Sequence, residues 1–229
     1  MVKIYVDGAD LDAMRKAAAN SIVKGFTTNP TLMRKAGVKD YRAFALAVVR
    51  TFPKYPVSFE VFADDEVGML HQARKISGWG ENVYVKIPVV NSLGESSAAV
   101  IKTLTTEEIK INVTAIMTMA QVAEVLANLS QTPAVVSIFA GRIADTGRNP
   151  VPTFQQALAL RRFAHHEILW ASPRQVMDVY LAASCKCDII TCTPDLIAKL
   201  SLEGKNLTEY SMETSKMFFD DAQEAGYKL

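Results

Sequence analysis

Short apolar runs rich in β-branched residues alternate along the chain with longer stretches whose apolar residues recur at helical spacing. This alternation is typical of βα units around a parallel sheet and disfavours an antiparallel sandwich. The apolar runs predict eight strands, over residues 3–6, 22–26, 57–61, 83–87, 109–113, 134–138, 168–170 and 188–191.

Eight βα units in a chain of 229 residues predict an α/β fold, a single (β/α)8 TIM barrel that spans residues 1–229. A doubly wound open sheet is the alternative with the same alternation of elements. The stretch 211–225 predicts one additional C-terminal helix. Its methionines and phenylalanines need cover from the barrel itself or from a neighbouring subunit.

Capping residues predict where several helices begin. Asp40 would cap a helix over 41–50, and Thr118 with Gln121 forms a capping box for a helix that runs through residue 127. Two further starts pair an N-cap residue with a proline at the first helical position, at Ser172 and at Thr193.

Composition and motifs disfavour several functional classes. The chain has 25 Lys and Arg against 24 Asp and Glu, without the like-charge block of a nucleic-acid-binding or membrane-binding tail. Its three cysteines lack a C-x-x-C pair, its start lacks the apolar core of a signal peptide, and no long uninterrupted apolar run occurs. Metal-ligand spacings and nucleotide-binding motifs are also lacking. We therefore expect a cytoplasmic protein with no metal, no cofactor, and no nucleic-acid or membrane partner.

Lys86 interrupts the apolar run 83–90, where burying a charged amine is costly. A low-dielectric barrel interior would favour the neutral amine, which is the nucleophilic form that a Schiff-base enzyme needs. The alternative is a lysine that faces outward beneath a helix and extends its amine to water.

Polar side chains stand at or just past the ends of the predicted strands, which in a TIM barrel meet at one mouth. Asp7 and Glu60 suit a proton acceptor and a water-holding group beside a reactive amine, although each could equally be a helix cap or an ion-pair partner. Arg142, Ser172 and Arg174 are candidates for binding phosphate. The alternative is that Ser172 only caps a helix and both arginines are solvated.

The chain resembles the transaldolase family, in particular the short-chain branch that also contains the fructose-6-phosphate aldolases. The resemblance runs from residue 3 to about residue 193, and its TTNP and VKIPV elements are highly specific together. It rests on seven segments in order: VDGAD, GFTTNPTLM, SFEVF, VYVKIPV, INVTAIMT, SIFAGRIAD and WASPR.

The resemblance implies roles for individual residues. Glu60, Ser137 and Phe139 match transaldolases, because the aldolase branch tends to carry glutamine at the first position and a tyrosine on strand six. Pro173 departs from the pattern, since many relatives have an aromatic residue there. The implied roles are Schiff-base formation by Lys86, acid–base catalysis by Asp7, holding of a catalytic water by Glu60 and Thr114, hydrogen bonding to substrate hydroxyls by Asn29 and Asn112, shaping of the pocket by Thr27, Ser137 and Phe139, and phosphate binding by Arg142, Ser172 and Arg174.

The implied reaction transfers a dihydroxyacetone unit from a ketose phosphate, sedoheptulose 7-phosphate or fructose 6-phosphate, to an aldose phosphate, glyceraldehyde 3-phosphate or erythrose 4-phosphate. This is a reaction of the pentose phosphate pathway that needs no cofactor. The alternatives are an aldolase that releases free dihydroxyacetone, a barrel that acts on another sugar, and an inactive barrel that serves as a binding protein. The resemblance also implies a homo-oligomer, a pentamer or decamer, in which the C-terminal helix reaches a neighbour.

Overall fold

The computed structural model describes residues 2–228 and contains a closed barrel of eight parallel strands. The strands are β1 (Lys3–Asp7), β2 (Val23–Thr27), β3 (Val57–Glu60), β4 (Val83–Pro88), β5 (Ile111–Ile116), β6 (Ala134–Ile138), β7 (His166–Trp170) and β8 (Ile189–Cys192). Consecutive strands are neighbours in the sheet, and β1 also pairs with β8. This pairing closes the barrel and excludes the open doubly wound sheet.

Helices connect the successive strands, and the connections after β2 and after β6 each contain two of them. The predicted (β/α)8 barrel with an additional C-terminal helix is therefore confirmed. The helices are α1 (Leu11–Ala18), α2 (Pro30–Lys35), α3 (Tyr41–Thr51), α4 (Glu66–Ser77), α5 (Ala98–Thr106), α6 (Met119–Asn128), α7 (Ala140–Asp145), α8 (Val151–Leu160), α9 (Met177–Ser184), α10 (Pro194–Lys199) and α11 (Leu207–Glu224).

The alternation of side chains along each strand separates the core from the site. In β4, Val83, Val85 and Ile87 are buried on one side, while Lys86 points to the other side, into the barrel. The apolar layer between strands and helices includes Phe154, which stacks on Trp170 with ring centroids 4.5 Å apart. The inward positions near the C-terminal ends of the strands are thereby left to polar residues.

Three of the four predicted helix caps form as expected. Asp40 accepts a hydrogen bond at the start of α3, Thr118 and Gln121 make the capping box of α6, and Thr193 caps α10 ahead of its first-turn proline. The fourth prediction is wrong, because no helix begins at Ser172. Ser172 has a φ of 60°, and α9 begins only at Met177.

The fifth strand begins two residues later than predicted, because a tight turn at the end of α5 includes the first residues of the predicted strand. Glu108 has a φ of 60°, and the Ile109 amide bonds back to the Leu104 carbonyl at 3.0 Å. A bulge then interrupts the pairing of β5 with β6, and Ala115 within it has a φ of 63°. This irregularity lies directly after Thr114 at the mouth of the barrel.

The C-terminal helix α11 begins at Leu207, four residues earlier than predicted, because Asn206 caps it by accepting bonds from Thr208 and Glu209. None of the residues of α11 is buried, and the Phe218 and Phe219 side chains are 62% and 63% exposed. Within residues 2–228, no helix combines the length and the apolar character that a membrane span requires.

Candidate active site

A cavity of about 500 Å³ opens at the C-terminal ends of the strands, a size within the range of roughly 300–1,000 Å³ typical of small-molecule sites. All twelve residues singled out in the sequence line this cavity. They are Asp7, Thr27, Asn29, Glu60, Lys86, Asn112, Thr114, Ser137, Phe139, Arg142, Ser172 and Arg174.

Lys86 points into the barrel, and only 6% of the residue is exposed. Its Nζ donates to the Thr28 carbonyl at 2.8 Å and lies 3.0 Å from Glu60 Oε2. The outward, water-seeking orientation is therefore excluded. Because β4 pairs with β3 in the register Lys86 to Glu60, the ion pair follows from the sheet geometry itself.

Asp7 lies at the end of β1 and accepts a hydrogen bond from Thr27 Oγ1 at 2.9 Å. Burial raises the pKa of the Asp7 carboxyl, and the negative charge of Glu60 adds to this, while Lys86 and the Thr27 hydroxyl act in the opposite direction. A carboxyl whose pKa is raised above its ordinary value holds its proton more readily, which suits a group that must both give and take a proton.

The Thr27 hydroxyl also contacts the Thr191 hydroxyl. Since Thr27 has a single hydroxyl proton, which it donates to Asp7, Thr191 must donate to Thr27. This chain joins β8, β2 and β1 and fixes the orientation of the carboxyl.

Asn112 is held in the centre of the barrel by two neighbours. Its Nδ2 donates to Ser58 Oγ at 3.1 Å, and its Oδ1 accepts from Ser137 Oγ at 2.6 Å. The bonds span β3, β5 and β6, so the amide plane is fixed before any ligand enters. Asn29 is fixed as well, because its Oδ1 caps α2 by accepting from Leu32 N at 2.9 Å. Its Nδ2 group is therefore the part left to donate to a ligand.

The rim of the cavity carries the two candidate phosphate-binding arginines. Arg142 belongs to α7 and lies with Cζ 6.0 Å from the centre of the Phe139 ring. Arg174 lies in the loop before α9 and forms a bidentate pair with Asp145, at 3.2 Å and 2.5 Å. Ser172 lies in this loop as well and also lines the cavity. Its backbone is in the left-handed conformation, and it does not cap a helix as predicted.

Sequence reasoning missed several residues that build the site. Thr28 contributes a backbone carbonyl, which no side-chain pattern reveals. Ser58 and Asp145 act through other site residues, and their contacts depend on which strands and helices are neighbours. Thr191, by contrast, is a polar residue at a strand end that the sequence placed at the mouth of the barrel, although without a role, and it does line the cavity.

The arrangement combines a buried amine, two carboxylates and an amide at the bottom of the cavity with two guanidinium groups at its rim. A neutral amine in such a pocket can attack a carbonyl carbon, and a neighbouring carboxyl can move the protons that this requires. The guanidinium groups match the oxygens of a phosphate. Among residues 2–228, no cluster of three histidine, cysteine or acidic side chains is arranged to hold a metal ion.

Curated relatives cover the full length of the chain. A protein of Hyphomonas neptunium named "Probable transaldolase" is 33% identical over 232 residues, which cover 100% of both chains. Proteins of the same name from Bdellovibrio bacteriovorus and Thermoplasma acidophilum are 31% and 33% identical, covering 99% and 89% of this chain and 100% and 90% of the relatives.

Solved structures with low sequence identity share the barrel. A 3-keto-L-gulonate-6-phosphate decarboxylase from Vibrio cholerae superposes with a TM-score of 0.56 at 17% identity, covering 84% of this chain and 87% of that one. Dihydrodipicolinate synthase from Rhodopseudomonas palustris gives a TM-score of 0.58 at 13% identity, covering 97% and 80%. These likenesses support the fold alone.

The family described as transaldolase/fructose-6-phosphate aldolase matches residues 4–229 of the chain. This match covers every residue that lines the cavity, from Asp7 to Thr193. With the cavity-lining lysine and the full-length relatives, it confirms the resemblance read from the sequence: the chain belongs to the transaldolase/fructose-6-phosphate aldolase family.

Proposed function

We propose that the protein is a transaldolase that carries a dihydroxyacetone unit on Lys86 as a Schiff base. The observation that carries this proposal is the buried Lys86 amine, 3.0 Å from Glu60 and in a cavity that Asp7 also lines. Family membership supports an aldolase-type enzyme. The glutamate at position 60 favours transfer over release, since the aldolase branch tends to carry glutamine there.

The reaction begins when Lys86 passes its proton to Glu60, 3.0 Å away, and the neutral amine attacks the ketone carbon of a ketose phosphate such as fructose 6-phosphate. Loss of water, assisted by a water molecule held by Glu60 and Thr114, gives the iminium. Asp7 then takes the proton of the C4 hydroxyl, and the C3–C4 bond breaks. Its electrons form an enamine because the iminium nitrogen accepts them. Glyceraldehyde 3-phosphate leaves.

The enamine keeps the dihydroxyacetone unit bound to Lys86 until an aldose phosphate such as erythrose 4-phosphate enters. The steps then run in reverse and release sedoheptulose 7-phosphate. Asn29 and Asn112 hydrogen-bond the sugar hydroxyls, while Thr27, Ser137 and Phe139 shape the pocket around the ketone unit. Arg142, Ser172 and Arg174 bind the phosphate at the rim.

The test is an assay of fructose 6-phosphate turnover with and without erythrose 4-phosphate. Without acceptor, we expect at most one equivalent of glyceraldehyde 3-phosphate per site. With acceptor, we expect continuous formation of sedoheptulose 7-phosphate and ping-pong kinetics. Continuous release of dihydroxyacetone without acceptor would instead identify a fructose-6-phosphate aldolase, and no turnover under either condition would contradict both functions.

We further propose that the protein is a homo-oligomer, a pentamer or decamer, in which α11 packs against a neighbouring copy. Leu207, Tyr210 and Met217 follow one another at helical spacing, and all three are exposed in the single chain. Exposed apolar surface of this kind is typical of an interface between subunits.

Light scattering after gel filtration should give a mass several times that of the 25.1 kDa chain. Replacing both Leu207 and Met217 with serine should reduce this mass, because the apolar surface that drives association is removed. Replacing the exposed Leu93, outside α11, with serine serves as the matched control and should leave the mass unchanged. A wild-type mass equal to one chain would contradict the proposed assembly.

A further inference from the structure

Arg174 is held at the cavity rim by two bonds to one carboxylate. Its Nε and Nη2 donate to Asp145 Oδ1 and Oδ2 at 3.2 Å and 2.5 Å, while both side chains remain 52% exposed. Asp145 is the last residue of α7, the helix that also carries Arg142. The pair therefore ties the loop after β7 to the helix after β6.

The bidentate geometry leaves the Nη1 group and the second Nη2 hydrogen of Arg174 free for a ligand. A guanidinium uses such paired hydrogens to bind phosphate oxygens. The contact with Asp145 thus occupies one edge of the guanidinium and leaves the others available. This is the arrangement expected of an arginine held ready for an anion.

The backbone of the same loop is fixed by a second aspartate. Asp178, of which 6% is exposed, accepts from the Arg174 amide at 2.6 Å and from the Gln175 amide at 3.0 Å. These bonds satisfy the amides that precede α9, and they hold the Cα of Arg174 in place. The position of the loop is therefore set independently of the Arg174 side chain.

Gly141 gives the loop room to approach α7. A Cβ added at this glycine would lie 1.7 Å from the Ser172 carbonyl oxygen and 3.2 Å from Arg174 Nε. Any larger residue would push away both the backbone of the loop and the side chain that binds Asp145. Two residues of the same short helix thus determine where Arg174 lies: Gly141 leaves room for the loop, and Asp145 accepts hydrogen bonds from the guanidinium.

We propose that Asp145 is a positioning residue that holds the Arg174 guanidinium in its phosphate-binding orientation. This inference rests on the proposed function, in which Arg174 binds the substrate phosphate. An exposed arginine samples many rotamers, and binding an anion requires it to give up that freedom. A side chain already held by Asp145 has less freedom to lose, so the anion binds more tightly.

The opposite effect is the physical alternative. Asp145 is ionised at neutral pH, because hydrogen bonding to Arg174 and the nearby charge of Arg142 lower its pKa. A negative charge beside an anion site repels the anion and competes with it for the guanidinium. Removing the charge would then strengthen phosphate binding. Whether Asp145→Asn weakens or strengthens phosphate binding therefore distinguishes positioning from repulsion.

The experiment measures the dissociation constant of inorganic phosphate by calorimetry for the wild type and Asp145→Asn. We expect the variant to bind phosphate more weakly, by roughly three- to tenfold, because asparagine cannot accept both hydrogen bonds. The matched control is Glu107→Gln. Glu107 forms a similar bidentate pair with Arg74, at 2.9 Å and 2.6 Å, away from the cavity. The Glu107→Gln variant should leave phosphate binding and activity unchanged.

Kinetics distinguish positioning from a general loss of structure. For Asp145→Asn we expect the KM for the ketose phosphate to rise by a similar factor while kcat changes little, because Lys86 and Asp7 are untouched. Equal or tighter phosphate binding by the variant would overturn the inference and leave the proposed function standing. A wild-type protein that does not bind phosphate would overturn the phosphate-binding role of Arg174 itself.

Discussion

Replacing Lys86 with methionine should lower kcat/KM by roughly 10⁴- to 10⁶-fold, the scale expected when a covalent nucleophile is removed. Methionine has a similar length and is unbranched, so the wall of the cavity keeps its shape while the amine is lost. Without that amine neither the iminium nor the enamine can form. The measurement is the coupled assay with fructose 6-phosphate and erythrose 4-phosphate.

The same substitution affects stability through the partner that it leaves behind. Glu60 loses the cation that lies 3.0 Å away, and an unpaired carboxylate in a partly buried position destabilises the fold. We expect the double variant with Glu60→Gln to recover thermal stability but not activity. Wild-type activity in the folded Lys86→Met protein would contradict the proposed mechanism.

Replacing Asp7 with asparagine should lower kcat by roughly 10²- to 10⁴-fold, because proton transfer at the C4 hydroxyl loses its acid–base group. Asparagine preserves the size of the side chain and can still accept the hydrogen bond from Thr27. The defect should therefore appear in the carbon–carbon bond steps, while Lys86 still forms an iminium with the ketose. Single-turnover measurements with borohydride trapping separate these two steps.

Asp7→Asn should also raise the thermal stability of the protein. Burial raises the pKa of Asp7 in the folded state, so the folded protein binds this proton more tightly than the unfolded chain, and the carboxyl lowers the free energy of unfolding above its unfolded pKa. The cost is absent below the unfolded pKa of about 3.9 and grows as the pH rises through and above it. The gain in Tm should thus be seen at pH 7 and vanish in acid. Asp12→Asn on the exposed face of α1 should show no such gain.

Much of the fold was predictable because the alternation of strands and helices is set by local periodicity, and eight such units in one domain favour a barrel. Each predicted strand overlaps an observed one, and the two-residue delay at the start of β5 comes from the tight turn that ends α5. The apolar strand alone left Lys86 either inside the barrel or facing outward to water, and the family resemblance favoured the inside position that the structure shows. The roles of the twelve site residues remain predictions, although all twelve line one cavity.

What the sequence did not reveal depends on contacts between distant elements. Ser172 followed by proline favours a helix cap, but the loop must pass Gly141, and Asp178 satisfies the amides that a cap would have served. Nothing in the sequence pairs Asp145 with Arg174, because their contact depends on the loop after β7 lying beside α7. Here packing at the mouth of the barrel outweighs the local preference of the Ser-Pro pair for the start of a helix.

The most direct test of the Schiff-base mechanism is to reduce the wild-type protein with borohydride in the presence of fructose 6-phosphate and map the product by intact and peptide mass spectrometry. The mechanism predicts one reduced dihydroxyacetone adduct per chain, on the peptide that contains Lys86. The absence of an adduct, or an adduct on a different lysine, would contradict it.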